Sequence, residues 1–571
     1  MLIDARTIPT NSTIETEVCI VGAGPAGITL AREFVEQNFR VCLLESGSLE
    51  FDENTQSLCQ GESVGDFLAP LKDQRRRQFG GTANAWKVKL GNSQLGVKYA
   101  PLDKIDFEKR DWLPYSGWPF DKSHLDPFYE RAQSVCKIGP FAYEADAWKD
   151  AQTPQLPFTS DQVFTSMFQF GSGAVFTREY RDEINRSSNI TTYLNANVVD
   201  IETDETARTV TRVRVACLQG NKFWVRVKLL ILATGGIENA RLLLLSDQVQ
   251  KTGLGNQNDL IGRFFMGHPK LSCMLVPFQR EIFNATALYD RHQVNDVVVG
   301  GKLVLTEDVM RREKLLNISA LLLPRPEPYQ VTAVRSLRTL RLLKRRAAMP
   351  KDTLKHLGNI INGIDYILPA VYRAVVKHQP LLPGTSGSGW SSLPSKERIY
   401  SMFEVVHQTE QVPDPNNRVM LNAERDRLGL RKVRLHWKFS DTDICSIKRS
   451  QKIFAEEFAR AGLGQLQVEN EQELPQLSFG SFDGHHHAGH HHMGATRMHV
   501  DPKQGVVDEN SKVHGVSNLF IAGSSVFPTG GYVNPTLTIV ALAIRLADHV
   551  KTCMVSKQHV FSTREILSNR F

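Results

Sequence analysis

Apolar and polar positions along this chain change period several times, and the changes mark out its elements. Val18 to Val21 is an unbroken apolar run, short enough for a strand buried on both faces. Ile28 to Phe34 reads as a helix, and Val41 to Leu44 is a second apolar run, ending at Glu45. Lys228 to Ala233 repeats the strand signal far downstream. It runs into Thr234-Gly235-Gly236 and a helix over Ile237 to Leu242. Asn518 to Ala522 repeats it again ahead of Gly523. Three strand–glycine junctions, widely separated, predict one α/β domain with a parallel sheet assembled from distant pieces.

Between these pieces the pattern turns to alternation. Asn189 to Val227 holds two alternating stretches around an acidic turn at Glu202 to Ala207, which predicts a small antiparallel sheet. Lys270 to Leu323 and Arg398 to Trp437 are again rich in β-branched alternation. Val331 to Arg346 reads as an amphipathic helix with Arg335, Arg338, Arg341 and Lys344 beside its apolar positions. Ile360 to Val376 reads as a second helix, interrupted at Pro369. Gly384 to Ser392 has the composition of a flexible linker. Pro535 to Val550 reads as a helix with proline at its first position and Asn534 as its N-cap.

A length of 571 residues suits two or three domains, and 41% hydrophobic with 23% charged residues is an ordinary globular composition. Charge sharpens the picture. Residues 325–377 carry eleven Lys/Arg against three Asp/Glu, so the rest of a chain with net charge +7 sums to about −1. An excess confined to one segment argues against general nucleic-acid binding. No apolar run approaches the roughly eighteen residues of a membrane span, and Met1 to Thr10 lacks the pattern of a signal peptide. Eight scattered cysteines without a CxxC pair are expected to be reduced, as in a cytoplasm.

The chemistry begins at Gly22-Ala23-Gly24-Pro25-Ala26-Gly27, set between the first strand and its helix. Gly22 permits the turn, Gly24 admits a pyrophosphate close to the backbone, and Gly27 lets helix and strand pack. The helix N-terminus offers N–H groups and a positive dipole end to the phosphates. Glu45, eighteen residues after Gly27, can accept from a ribose hydroxyl. The motif alone does not choose between a nicotinamide and a flavin dinucleotide.

The C-terminal stretch carries the sharpest signal. His491-His492-Met493-Gly494-Ala495-Thr496-Arg497-Met498 is followed by Gly531-Tyr532-Val533-Asn534-Pro535-Thr536. With the GAGPAG turn, Phe79-Gly80-Gly81-Thr82 and Ala233-Thr234-Gly235-Gly236, these occur in the order found in glucose–methanol–choline (GMC) oxidoreductases. The chain resembles that family from Thr16 to Val550, nearest the branch of pyranose oxidases and related sugar dehydrogenases. The resemblance implies a Rossmann-like FAD-binding domain assembled from residues 1–270 and 484–571. It also implies an α+β substrate domain over 271–483 with a mostly antiparallel sheet and a basic helical insertion at about 325–395.

By motif position the resemblance makes His491 the catalytic base and Asn534 its partner at the substrate oxygen. Imidazole suits proton transfer near neutrality, and an amide can hydrogen-bond an oxygen as alkoxide charge develops. The cofactor set it implies is Gly22, Gly24, Pro25, Ala26, Gly27, Glu45, Ser46, Gly80, Gly81, Thr82, Asn84, Ala85, Ala233, Gly523, Ser524, Asn534, Pro535 and Thr536. Ala85 stands beside Trp86 where sugar oxidases often carry a flavin-linking histidine, so FAD is expected to be non-covalent. Ser524-Ser525 follow Gly523 where many relatives have an aspartate, so backbone N–H groups and hydroxyls are expected to take over that contact.

Other readings stand beside these. Asn534 can spend its side-chain oxygen capping its own helix. Six histidines among residues 485–492 invite a metal, although no cysteine or acid joins them at zinc spacing. His492 is the base if the motif is offset by one. The expected function is oxidation of an alcohol, a secondary hydroxyl of a sugar, cyclitol or glycosylated metabolite, with oxygen or a quinone-like molecule as acceptor. Two rivals are a lyase that keeps its flavin oxidised, and a dehydrogenase docked on a membrane or protein acceptor. Three readings of the basic insertion are open. It packs on the substrate domain with a solvated face, which is favoured, or closes the substrate channel as a lid, or docks residues 331–383 on a membrane or an acceptor.

Overall fold

In the computed structural model, residues 1–66, 70–90, 94–344, 352–385, 387–467 and 491–568 are described. The six-stranded sheet is parallel throughout, in the order Leu2–Asp4, Ile190–Leu194, Val41–Leu44, Val18–Val21, Leu229–Leu232, Leu519–Ile521. Its four central strands are almost wholly buried, and three of them are apolar on both faces. The three glycine junctions therefore meet at the carboxyl ends of three neighbouring strands of one sheet. Asn239 ties two of them together: its Oδ1 accepts from the Thr234 N–H, and its Nδ2 donates to the Ala522 carbonyl and Ser525 Oγ.

Part of the expected small antiparallel sheet belongs here instead. Ile190–Leu194 buries both of its faces and joins the parallel sheet, whereas Asn197–Thr203, Val210–Ala216 and Lys222–Arg226 form the antiparallel meander. Thr13–Glu15 pairs parallel to the last of these.

The second body is a nine-stranded antiparallel sheet. Its path runs Gly464–Gln467, Lys270–Pro277, Met402–Thr409, Ile318–Arg325, Val297–Leu305, Val163–Ser172, Leu95–Tyr99, Val88–Lys89, and His292–Val294 pairs with Val297–Leu305. Three of its strands thus come from before residue 270. Arg418–Arg425 and Arg431–Trp437 leave this sheet and make a separate one with Gly61–Gly65. Cross-strand partners Lys270↔Gln408, Lys302↔Ser166 and Lys98↔Phe170 share a face of the large sheet with Leu321 and Val406. Much of that face looks toward the nucleotide domain.

The insertion forms three helices, Pro328–Lys344, Thr353–Asn362 and Ile364–Val376. The break falls at Gly363 and the last helix passes through Pro369. The carbonyl that proline leaves without a donor belongs to Asp365, on the exposed side where water serves it. Val331, Ala333 and Val334 pack against Tyr366, Ile367, Ala370 and Leu382 in a small core of their own. Gly384 to Ser392, linker-like in composition, is anchored: the Asp290 carboxylate accepts from the Gly389 and Ser391 N–H groups and from Ser391 Oγ. The C-terminal helix starts at Thr536, one residue later than expected, with the Pro535 carbonyl accepting from the Ile539 N–H. It runs on to Ser568, since no glycine or proline follows Val550 in the helix.

Candidate active site

One long cavity lies between the parallel sheet and the large antiparallel sheet. At its nucleotide end it is lined by Gly22, Gly24, Pro25, Ala26, Glu45, Ser46, Gly81, Thr82, Ala85, Ala233, Gly523 and Ser524. His491, Asn534, Pro535 and Thr536 line the same cavity further along. Gly27, Gly80 and Asn84 shape it from behind. A Cβ on Gly27 would stand 1.9 Å from the Gly22 carbonyl oxygen, so only glycine lets the helix sit on the turn. The Gly80 N–H donates to the Ala23 carbonyl, and Asn84 Nδ2 donates to the Phe79 and Gly81 carbonyls, holding the second glycine loop against the first.

Glu45 is buried at the end of its strand. Its two oxygens accept from the Ala23 and Gly47 N–H groups, both at 2.8 Å, so it stitches the turn as well as facing the cavity. Ser524 Oγ donates to the His492 carbonyl and Ser525 Oγ accepts from Asn239. Each hydroxyl thus has one of its bonds made within the protein, while Gly523 and Ser524 line the cavity. Sequence reasoning missed the basic run Arg75-Arg76-Arg77, which lines this end beside Glu238. Burial would raise the Glu238 carboxyl, but Arg77, Arg241 and Arg75 together hold it down at about 2. The run directly precedes the Phe79-Gly80-Gly81 loop, and that adjacency was the available signal.

At the other end, His491 Nδ1 lies 2.8 Å from His268 Nδ1. A bond between two Nδ1 atoms needs one donor and one acceptor, and the surroundings choose. His268 Nε2 faces the Gly530 carbonyl at 3.4 Å, which can only accept. His268 therefore carries its proton on Nε2 and accepts at Nδ1, so His491 donates from Nδ1 and keeps its lone pair on Nε2. Burial, with Lys270 and Lys98 nearby, pushes His268 down to about 3, so it stays neutral.

Asn534 does not cap its helix. Its Oδ1 accepts from Gln408 Nε2 at 3.3 Å, and that same Nε2 donates to the Tyr532 carbonyl. With its oxygen engaged, the amide N–H groups of Asn534 remain for the cavity. His492 also lines the cavity, with its Nε2 engaged by Gln74 Oε1 at 2.8 Å. The histidines at 485–490 lie outside the described residues. Among the described residues no cluster of three or more His, Cys, Asp or Glu could hold a metal.

His268, Gln408, Lys98 and Lys270 also line this end, and no motif announced them. His268 stands in a Gly-His-Pro stretch just before the Lys270 strand, and only the folded sheet brings it to His491. Burial pushes the Lys98 ammonium well down, with Lys270 and Lys302 adding like charge, and burial lowers Lys270 too.

The chain is similar in sequence and fold to known proteins. Residues 413–543 match a family model described as GMC oxidoreductase. Over 95% of its length the chain is 22% identical to 2-methyl-1,2-propanediol dehydrogenase of Mycolicibacterium austroafricanum, covering 96% of that protein. Over the same share it is 24% identical to the fructose dehydrogenase large subunit of Gluconobacter japonicus, covering 98% of it. Among solved structures, formate oxidase superposes with a TM-score of 0.52 at 17% identity, over 95% of this chain and 99% of that one, a likeness of fold.

Proposed function

This chain belongs to the GMC oxidoreductases and is an FAD-dependent oxidoreductase; from that premise we propose that it oxidises a secondary hydroxyl of a sugar, cyclitol or glycosylated metabolite to a carbonyl. The single observation that carries the reading is the shared cavity. It joins a dinucleotide turn at one end to an imidazole with a lone pair and an amide with spare N–H groups at the other.

The residues present fit FAD. Nothing lies within 4 Å of where a Cβ on Gly24, Gly235 or Gly523 would stand, so the backbone there is open to a close ligand. The N-terminal turn of the Pro25–Glu33 helix lines the same space, where its dipole favours phosphate. We assign to that group the cofactor set that the family resemblance implies, with Arg76 added. Ala85, which has no nucleophile, supports non-covalent binding. When bound, FAD supplies the acceptor for the carbinol hydride. His491 Nε2 takes the hydroxyl proton, and its Nδ1–H holds the ring on His268 as charge appears. Asn534 Nδ2 donates to the substrate oxygen, held in place by Gln408. The division at 270 and 484 keeps the parallel sheet with the cofactor, while residues 88–172 lend strands to the substrate sheet. The acceptor is oxygen or a quinone-like molecule, and eight free thiols support a cytoplasmic setting. Deuterium at the carbinol carbon tests the reading. A primary isotope effect on flavin bleaching is expected, and bleaching without one would sink hydride removal as the step.

One observation favours the docked form of this enzyme over the packed insertion. The helices Thr353–Asn362 and Ile364–Val376 turn an apolar stripe outward, with Leu354 85%, Ile361 71%, Leu368 63% and Val375 68% exposed. The stripe recurs every seven residues, and exposed Lys355 and Lys377 flank it within the basic segment. An apolar face rimmed by cations fits an anionic bilayer surface. Thr385, a few residues beyond, lines the cavity, so docking would present the cavity to the membrane. Among the described residues no helix is long and apolar enough to cross it. Sedimentation with phosphatidylglycerol vesicles should carry the protein down, and a Leu354→Glu/Ile361→Glu/Leu368→Glu triple variant should stay in solution. Equal behaviour of the two would remove this reading.

A further inference from the structure

The substrate end of the cavity has an unusual charge balance. Its lining there includes Lys98, Lys270, His268, Leu321, Val406 and Gln408, besides His491 and Asn534. The acids that line the cavity are all at the other end and all engaged. Glu45 holds backbone N–H groups, Glu238 holds three arginines, and Asp426 holds Arg241. The two lysines have no such partner. Lys98 is 9% exposed; its Nζ reaches Gln408 Oε1 at 3.5 Å and lies 4.3 Å over the Phe168 ring. The Lys270 side chain, cross-strand from Gln408, makes no hydrogen bond or ion pair with the described residues. The third lysine on this face, Lys302, is spoken for by the Met167 carbonyl and Ser166 Oγ.

Removing an ammonium from water without an anion beside it is costly, and two such groups beside one another cost more. Lys98 and Lys270 both border a cavity that admits substrate, and both sit with Gln408 next to His491 and Asn534. Burial and the like charge beside it drive Lys98 towards the neutral amine, and burial does the same to Lys270; an oxyanion on the substrate would pair with them and favour the charged, donating form, which a neutral sugar hydroxyl cannot do.

We propose that Lys98 and Lys270 form an oxyanion subsite, so that the preferred substrate is an alcohol carrying a carboxylate or phosphate group, such as a sugar acid or a phosphorylated sugar. This rests on the alcohol-oxidising reading of the same cavity. Gln408 links the subsite to the chemistry, because it touches Lys98 on one side and Asn534 on the other. Binding of the anion sets where the hydroxyl lies relative to His491 Nε2.

The test uses flavin-loaded enzyme and matched pairs of probes: D-glucuronate with D-glucose, D-glycerate with glycerol, and glucose 6-phosphate with glucose. Equilibrium binding is followed by perturbation of the oxidised flavin spectrum and by the shift in Tm, and bleaching is recorded separately. At least one charged probe is expected to bind about 10-fold or more tightly than its neutral partner, and added KCl should erode the difference. Which pair responds separates carboxylate from phosphate. Lys270→Met, at the cavity wall, should bring the ratio towards one. Lys98→Met, deeper in the sheet, repeats the test. The proposal is overturned if every pair binds within threefold in the wild type, or if the preference survives both substitutions. Bleaching by neutral alcohols without any anion preference would keep the oxidase or dehydrogenase reading and discard the subsite. A lysine-dependent preference with no bleaching by any alcohol would do the reverse.

Discussion

Replacing His268 by alanine removes the acceptor that fixes the ring of His491. In the structure the two Nδ1 atoms are 2.8 Å apart, and the Gly530 carbonyl settles which one donates. When His491 takes the substrate proton, that contact becomes a hydrogen bond from a charged donor, worth about 1.5–3 kcal/mol. Loss of this much transition-state stabilisation slows the step about 10- to 100-fold. The assay is anaerobic stopped-flow reduction of the flavin by the best alcohol found in a screen. His268→Ala should lower the limiting rate and leave the substrate dissociation constant within a few-fold. His268→Gln, whose amide oxygen can accept from the His491 Nδ1–H, should recover part of the rate. A merely structural histidine behaves differently: its removal lowers Tm, and glutamine at that position restores no rate. Wild-type bleaching in His268→Ala, or no advantage of glutamine over alanine, would refute the tautomer argument.

Asn534→Ala should cost about 100-fold in the same reductive step, because an amide aimed at developing oxygen charge is lost; a threefold effect would demote it to a helix-start residue. Acid precipitation should leave the flavin in the supernatant, and a yellow pellet would contradict non-covalent binding. Lys302 supplies a pH signature. Burial lowers it from 10.5 to about 7, against a raising effect of Asp103, so between about pH 7 and 10.5 the unfolded chain binds more protons than the folded one. Stability from this group therefore rises with pH across that window, by about 5 kcal/mol at most. Urea melts of wild type and Lys302→Met at both ends should differ in slope with pH, and parallel pH profiles would argue against a buried lysine there.

Much of the nucleotide half was legible in the chain because its signals are local. An apolar run, a glycine turn and an acid at the next strand's end each follow from sterics over a few residues, and they fold as read. Ile190–Leu194 went to the wrong sheet because alternation and full burial look alike over five residues; only its two covered faces decide. The substrate end was half legible. His491 and Asn534 stand in motifs, whereas His268, Gln408, Lys98 and Lys270 come from three strands far apart in sequence and meet only through sheet register. In the insertion the arginines of the first helix are the plainest feature of the sequence. The exposed stripe from Leu354 to Val375 has an equally plain spacing, but its direction depends on which side packs on Val331 and Val334.

The most direct test of the central claim is anaerobic mixing of the purified, flavin-loaded protein with a broad pool of sugars, polyols and their acids while the oxidised-flavin absorbance is watched. Bleaching by at least one of these alcohols is expected in the wild type and should nearly disappear in His491→Ala, with admitted air then separating an oxidase from a dehydrogenase. Bleaching that persists unchanged in His491→Ala, or a bound flavin that no alcohol in the pool reduces, would contradict that claim.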